Sequence, residues 1–246
     1  MAQRLETHHE MVYGIHPVIE LLKAKRRKVV AIYTTRPEPK AWHQVARLVP
    51  AYVKVNQVSP KGLDTIAGTT DHQGVVAHVA PYPYRKKEFN LEKERFLLFL
   101  DRIQDPRNLG AILRTAYATG VDGVILTQKS SASLTPTALK AAAGLAEHLQ
   151  IMLVPSAVAG AKMLKAQGYN LYLAALGPQS SNALTTNFTA PMCIVIGSEG
   201  TGIARELLSL GTCVQLPQRV PDISYNASVA AGILLFWAAT RCGKLN

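Results

Sequence analysis

Apolar and polar residues alternate along this chain in two distinct styles. From Gly14, "HPVIELLKAK" places apolar residues at helical spacing, and Pro17 is tolerated in a first turn. "VVAIYTT" follows as a strand, "PKAWHQVARLV" as a second helix, and "YVKVNQV" alternates with period two. "SPKGLDTIAG" reads as a short helix between a capping Ser59 and a terminating Gly68, and "GVVAHVA" as another strand. These segments make a small α/β unit over residues 1–80. Residues 81–94, rich in proline and charge and without a period, read as a linker.

Beyond the linker the strands become continuously apolar: "FLLFLD", "GVILT", "IMLVP", "LYLAAL", "CIVIG" and "CVQLP". Such runs suit a parallel sheet covered on both faces. Helical patterns separate most of them, at Asn108–Thr119, Pro136–His148, Ala157–Gln167 and Thr201–Leu210, and a final helix is expected at Ser228–Arg241. Residues 95–246 therefore read as an α/β domain with a mainly parallel sheet. Ligands of such sheets sit in loops beyond the carboxyl ends of the strands.

Composition narrows the class. Hydrophobic residues are 48% and charged residues 17% of the 246, enough for a filled core. A net charge of +11 points to a polyanionic partner, nucleic acid first. Cys193, Cys213 and Cys242 are odd in number and widely spaced, which argues against a disulfide framework and against a zinc site. No metal is expected. There is no signal-like start, and no apolar run approaches the roughly 20 residues of a membrane span, so a reducing cytoplasm is the expected compartment.

Three loops carry the chemistry. In "DRIQDPRNLGAILRTA", Asp105-Pro106 opens a turn, Asn108 is placed to cap the helix or bind a ligand, and Arg114 falls less than two turns later. In "IGSEGTG" three glycines allow close backbone approach to a ligand, and the acidic Glu199 disfavours a phosphate there. Neither a dinucleotide glycine fingerprint nor a P-loop is present. "LPQRVPDISYNAS" gathers Ser224, Asn226 and Ser228 at the mouth of a long apolar helix, more small polar groups than one cap needs.

Taken in order, "IQDPRNLGAILRTA", "VIGSEGTGI" and "LP…SYNASVAAGILLF" resemble the SpoU (TrmH-like) RNA 2′-O-methyltransferases of the α/β-knot (SPOUT) class. "YGIHPVIELL" and "DHQGVVAHV" are similar to the small substrate-binding domain that precedes the catalytic domain in members acting on 23S rRNA. The resemblance implies a deep trefoil knot, S-adenosylmethionine as cofactor, and a homodimer with active sites completed across its interface. It implies a cofactor site at Leu176, Gly177, Gly197, Leu216 and Tyr225, and catalytic positions at Asn108, Arg114, Glu199, Ser224 and Asn226. The third motif departs from the family: it lacks a glycine, carries an extra Pro221, and has Tyr225 where leucine is usual.

A guanidinium gives up its proton only at high cost, so the motif arginine, Arg114, is expected to grip a phosphate and stabilise a developing alkoxide. "KAKRRK" places Lys23, Lys25, Arg26, Arg27 and Lys28 at a helix end, as an expected RNA contact. His72 and Gln73 are either RNA contacts or a turn entering a strand. The leading expectation is a guanosine ribose methyltransferase of 23S rRNA. A tRNA methyltransferase, an RNA-binding protein without catalysis and a dinucleotide-dependent oxidoreductase are the alternatives.

Overall fold

The computed structural model describes residues 9–220 and 223–245. The chain divides into two compact units, the first running up to Pro83 and including Leu134–His148, the second formed by Tyr84–Ser133 and the chain from Leu149 onward.

In the first unit, β1 (Glu10–Tyr13), β2 (Val29–Thr35), β3 (Lys54–Val58) and β4 (Val75–Val79) form a sheet in the order β1-β4-β2-β3. Only β2 and β3 run parallel. α1 (Ile15–Ala24), α2 (Trp42–Ala46) and α3 (Pro60–Ala67) complete it with α5 (Pro136–Ala141). The Ser59 hydroxyl accepts from the Gly62 N–H, and Gly68 ends α3 at φ 64, as the cap pattern predicts. β1 escaped the pattern because it precedes Gly14 and is only four residues long. α2 is shorter than expected because it has no side-chain cap and its flanks are prolines, Pro39 and Pro50.

The expected helix Pro136–His148 is broken. Ala143 and Gly144 both take left-handed backbone, at φ 52 and 83, and a 3₁₀ turn follows at Leu145–His148. A Cβ on Gly144 would lie 2.6 Å from Pro17 Cα, so close approach to α1 requires glycine here. The segment packs into the first unit although its sequence neighbours belong to the second.

In the second unit, seven parallel strands stand in the order β7-β6-β5-β10-β8-β11-β9. They are β5 (Phe96–Leu100), β6 (Gly123–Thr127), β7 (Ile151–Val154), β8 (Asn170–Ala174), β9 (Ser181–Asn182), β10 (Met192–Ile196) and β11 (Thr212–Gln215). β5, β6 and β10 are buried at every position, which is why they read as unbroken apolar runs. Alternate residues serve opposite faces. Leu97, Phe99, Leu171, Leu173, Cys193 and Val195 form one core with α6 (Ala157–Gln167). The intervening residues face the other side, where α4 (Pro106–Ala118) packs against α7 (Ala227–Arg241), and α7 against β10.

The segment expected as a linker is folded from Tyr84 onward. Arg85 forms a two-pronged ion pair with Glu94 at 2.7 and 2.9 Å, and Phe89 is buried against Gly123. The expected helix Thr201–Leu210 is reduced to a 3₁₀ turn at Arg205–Leu207. Ser198 and Gly202 instead exchange backbone hydrogen bonds at 3.2 and 2.9 Å, which holds the preceding residues in a tight turn.

Candidate active site

The first site loop leaves β5 at Leu100. Asp105 caps α4 by accepting from the Arg107 N–H at 2.8 Å, and Pro106 occupies the first helical turn. Asn108 is thereby released from capping. Its Nδ2 donates to Glu199 Oε1, and its Oδ1 accepts from Asn226 Nδ2 at 3.3 Å.

Asn226 itself caps α7. Its Oδ1 accepts from the Ser228 and Val229 N–H groups at 2.9 and 3.4 Å, and from the Ser228 hydroxyl at 2.6 Å. These donors fix which amide atom faces the helix, so Nδ2 must point outward. The result is a directed chain from the amino end of α7 through Asn226 and Asn108 to the Glu199 carboxylate. Glu199 sits in the Ser198–Gly202 turn rather than at a helix start. Ser198 Oγ and Thr201 Oγ1 lie 2.8 Å apart across that turn.

Gly197 is where the turn leaves the sheet. A Cβ there would lie 2.2 Å from Gly202 C and 2.3 Å from Ile203 N, both backbone atoms. The return of the loop onto the strand end therefore requires glycine.

Beside this turn lies a cavity of about 370 Å³ at the carboxyl ends of β8, β10 and β11. Leu176, Gly197, Leu216 and Tyr225 line it, as do Glu199 and Ser224. Gly177 lies outside the lining, and its N–H faces Gln215 Oε1 at 3.5 Å. Apolar walls come from residues the sequence reading missed, among them Ala174, Leu208, Val214 and Leu234. Ala174 and Val214 sit at strand ends and Leu234 on α7, where a signal was present; Leu208 follows the 3₁₀ turn that replaced the expected helix. Tyr225 donates its hydroxyl to the Pro217 carbonyl at 3.1 Å, which holds its ring at the cavity wall. Pro221 lies outside the described residues.

The lining decides what fits. Glu199 is the one charged side chain among the described lining residues, and no lysine or arginine is present there. A pyrophosphate would find no counter-charge. A nucleoside bearing a sulfonium suits apolar walls with a single carboxylate.

Arg114 stands apart from this cluster. It is exposed on α4 and makes no hydrogen bond or ion pair among the described residues. Six residues on from Asn108, it faces a different side of the helix. Among the described residues no group of three or more metal-ligating side chains occurs, and no helix is long and apolar enough to cross a membrane.

In the first unit the basic run is divided. Lys23, Lys25 and Lys28 are exposed, with Lys23 paired to Glu20 at 2.8 Å. Arg27 is not a surface cation. Its guanidinium is fully buried, bonded to Ala80 O at 2.8 Å, Glu147 Oε1 at 2.9 Å and Glu10 Oε2 at 2.5 Å. Arg26, half buried, donates to the Tyr82 hydroxyl and to Glu147 O. The expectation of RNA contact by Arg27 is thus corrected: the charge run bends inward after the left-handed Lys25. His72 is likewise buried, accepting from the Gly74 N–H at Nδ1 and facing Asp64 Oδ1 at Nε2. Gln73 accepts from Lys140 Nζ at 2.6 Å, so this turn is structural.

Comparison with known proteins gives matches along both halves. Residues 95–236 match the SpoU rRNA methylase family, and residues 11–85 match the RNA 2′-O ribose methyltransferase substrate-binding family. The chain belongs to the SpoU rRNA methylase family. Like other SpoU enzymes it is an RNA ribose 2′-O-methyltransferase that uses S-adenosylmethionine. It is 32% identical to the 23S rRNA (guanosine-2′-O-)-methyltransferase RlmB of Acinetobacter baylyi, covering 94% of this chain and 97% of that one. The Bacillus subtilis TrmH family tRNA/rRNA methyltransferase YacO is 34% identical, over 93% and 94% of the two chains. An AdoMet-bound rRNA methyltransferase from Sinorhizobium meliloti superposes with a TM-score of 0.82 at 27% identity, covering 99% of this chain and 90% of that one.

Proposed function

We propose that this SpoU enzyme methylates the ribose 2′-oxygen of a guanosine in 23S rRNA, acting as a cytoplasmic homodimer. The directed Asn226–Asn108–Glu199 chain beside a cavity free of cations carries the reading. Bound in that cavity, S-adenosylmethionine supplies an electrophilic methyl group. Leu176, Gly197, Leu216 and Tyr225 hold the nucleoside, with Gly177 at its rim. Asn108 and Asn226 fix Glu199 at the cavity wall, where with Ser224 it would orient the ribose. The 2′-oxygen would take the sulfonium methyl and leave a neutral thioether, with the hydroxyl proton passing to solvent water. Arg114 grips an adjacent phosphate and stabilises the developing alkoxide.

Arg114 has no hydrogen-bond or ion-pair partner among the described residues, which supports an active site completed by a second subunit. α7 presents Val229, Ile233 and Phe236 on one stripe, 48%, 38% and 58% exposed, and α4 beside it exposes Tyr117. An apolar stripe of this kind suits a homodimer. The path from β11 across the cavity to α7, back against α4, supports the family's deep trefoil knot. Lys23, Lys25 and Lys28, with the half-buried Arg26, are the basic-run residues positioned for RNA docking.

The test is methyl transfer from labelled S-adenosylmethionine to 23S rRNA, 16S rRNA and tRNA, with Arg114→Ala and Arg114→Lys beside the wild type. Transfer to 23S rRNA alone, lost in Arg114→Ala, is expected. Transfer to tRNA instead would replace the substrate. Near-native turnover in Arg114→Lys would remove the two-pronged phosphate grip.

A further inference from the structure

The second unit holds another cavity, of about 700 Å³, that the site described above does not use. It opens at the carboxyl ends of β5, β6 and β7, between the loop after β5 and the loop after β10. These two loops lead to opposite faces of the sheet: the first enters α4, and the second enters the 3₁₀ turn packed on α6. A parallel sheet binds ligands at such a reversal. Here the methyl-donor cavity lies on the β8–β11 side instead.

The linings of the two cavities differ in charge. Arg102, Lys129 and Arg205 line the second cavity against two carboxylates, Asp101 and Glu206. Asp101 is occupied: it is buried, takes the Arg102 Nε and Nη2 at 3.0 and 3.1 Å, and accepts from the Ala204 N–H at 3.1 Å. Arg102 Nη2 also donates to Gly202 O at 3.2 Å, which leaves Nη1 unbonded and fixed in direction. Lys129 and Arg205 are exposed and make no hydrogen bond or ion pair among the described residues. Ala157 and Val158, the first residues of α6, also line the space, and their N–H groups precede the first acceptor within the helix. One fixed donor edge, on Arg102, and two unpartnered cations around an open cavity match an anion with several acceptor oxygens.

Thr201 and Ile203 belong to the walls of both cavities. The turn that carries Glu199 is therefore the partition between them, and Arg102 braces it through Gly202. A polyanionic strand whose target ribose met Glu199 and Asn108 would have this partition beside it.

We propose that this second cavity is a subsite for the phosphate of a nucleotide flanking the methylated one, with Lys129, Arg205 and the free edge of Arg102 as its donors. The proposal rests on the RNA methyltransferase reading and adds where the strand continues.

The test uses the full chain with Lys129→Ala, Arg205→Ala and the double variant. RNA binding is followed by fluorescence anisotropy over a salt series, and S-adenosylhomocysteine binding by calorimetry. The double variant is expected to bind RNA about tenfold more weakly. Its slope of log K against log salt should fall by about 0.7 for each lost contact, the value for single strands. Cofactor affinity should stay within twofold. Unchanged RNA affinity and slope in the double variant, with active wild type, would overturn the subsite. So would a loss confined to cofactor binding, or a mononucleotide that binds at Lys129 and Arg205 without competing with RNA. Wild-type protein that methylates none of the RNAs would instead sink the functional reading, because that result does not involve the variants.

Discussion

Arg27→Met tests whether the middle of "KAKRRK" is structural. The wild-type guanidinium is fully buried and bridges Glu10 and Glu147, whose side chain is 1% exposed. Removing it leaves Glu147 without its cation, and Glu147 Oε2 already has no partner. Breaking one partner of a buried pair costs about 3–5 kcal/mol. Substituting an exposed cation such as Lys28 changes stability by about 0.5 kcal/mol at most. The sign of the pH dependence follows from Glu147. Burial pushes its carboxyl above the ordinary range, only partly opposed by the charge and hydrogen bond of Arg27. The folded state therefore holds a proton that the unfolded state has released, so stability falls as pH rises through that window. Without Arg27 the carboxyl rises further, and the variant's deficit should be largest near pH 8 and shrink towards the unfolded value near about 4.3. Urea unfolding at pH 5 and pH 8 reads both quantities. A loss below about 1 kcal/mol at pH 8, or weaker RNA binding with native stability, would refute the burial argument.

Gly197→Ala should weaken S-adenosylhomocysteine binding by at least about tenfold in calorimetry, since its Cβ meets backbone at 2.2 Å; Gly200→Ala, with nothing within 4 Å, should be tolerated. Asp105→Ala should cost about 1 kcal/mol of stability in denaturant through the lost cap. Asn108→Ala should instead lower kcat with stability nearly native, and the reverse pattern would restore Asn108 to a capping role. Cys193 should resist thiol reagents in the native protein, because burial raises its thiol well above the usual range, and labelling should follow unfolding. Rapid native labelling there would contradict the sheet core.

Where local chemistry and tertiary packing agree, the sequence was a reliable guide. Six strands of the larger sheet were legible because their runs are apolar, the central ones buried on both faces; the two-residue edge strand β9, exposed and polar, was not. Ser59 and Gly68 marked α3 because capping is settled within a few residues. Elsewhere, distant contacts outweighed local preference. Thr201–Leu210 has helical spacing, but the Ser198–Gly202 pairing reverses the chain first. Pro136–His148 carries a helical pattern that cannot disclose Pro17 pressing on Gly144. A run of five cations reads the same whether each faces solvent or, as at Arg27, a buried carboxylate.

The candidate site shows the same division. Its residue types were visible, and so was the absence of a phosphate-binding glycine pattern. Asn108 was ambiguous because asparagine near a helix start serves equally as cap or ligand. Asp105 resolves it: three residues upstream it takes the cap, so the Asn108 amide is left to join Asn226 to Glu199. That assignment needs Asn108 to meet two segments 91 and 118 residues further along the chain, and only the fold brings them together. Arg114 illustrates the converse. Its motif position is clear, yet among the described residues it has no hydrogen-bond or ion-pair partner. On the proposed function it serves either its own site or that of a second subunit, and methyl transfer by mixed subunits separates the two. If Arg114→Ala subunits mixed with Glu199→Gln subunits regain activity, the arginine acts across the interface. If they stay inactive while wild-type mixtures do not, it serves its own site.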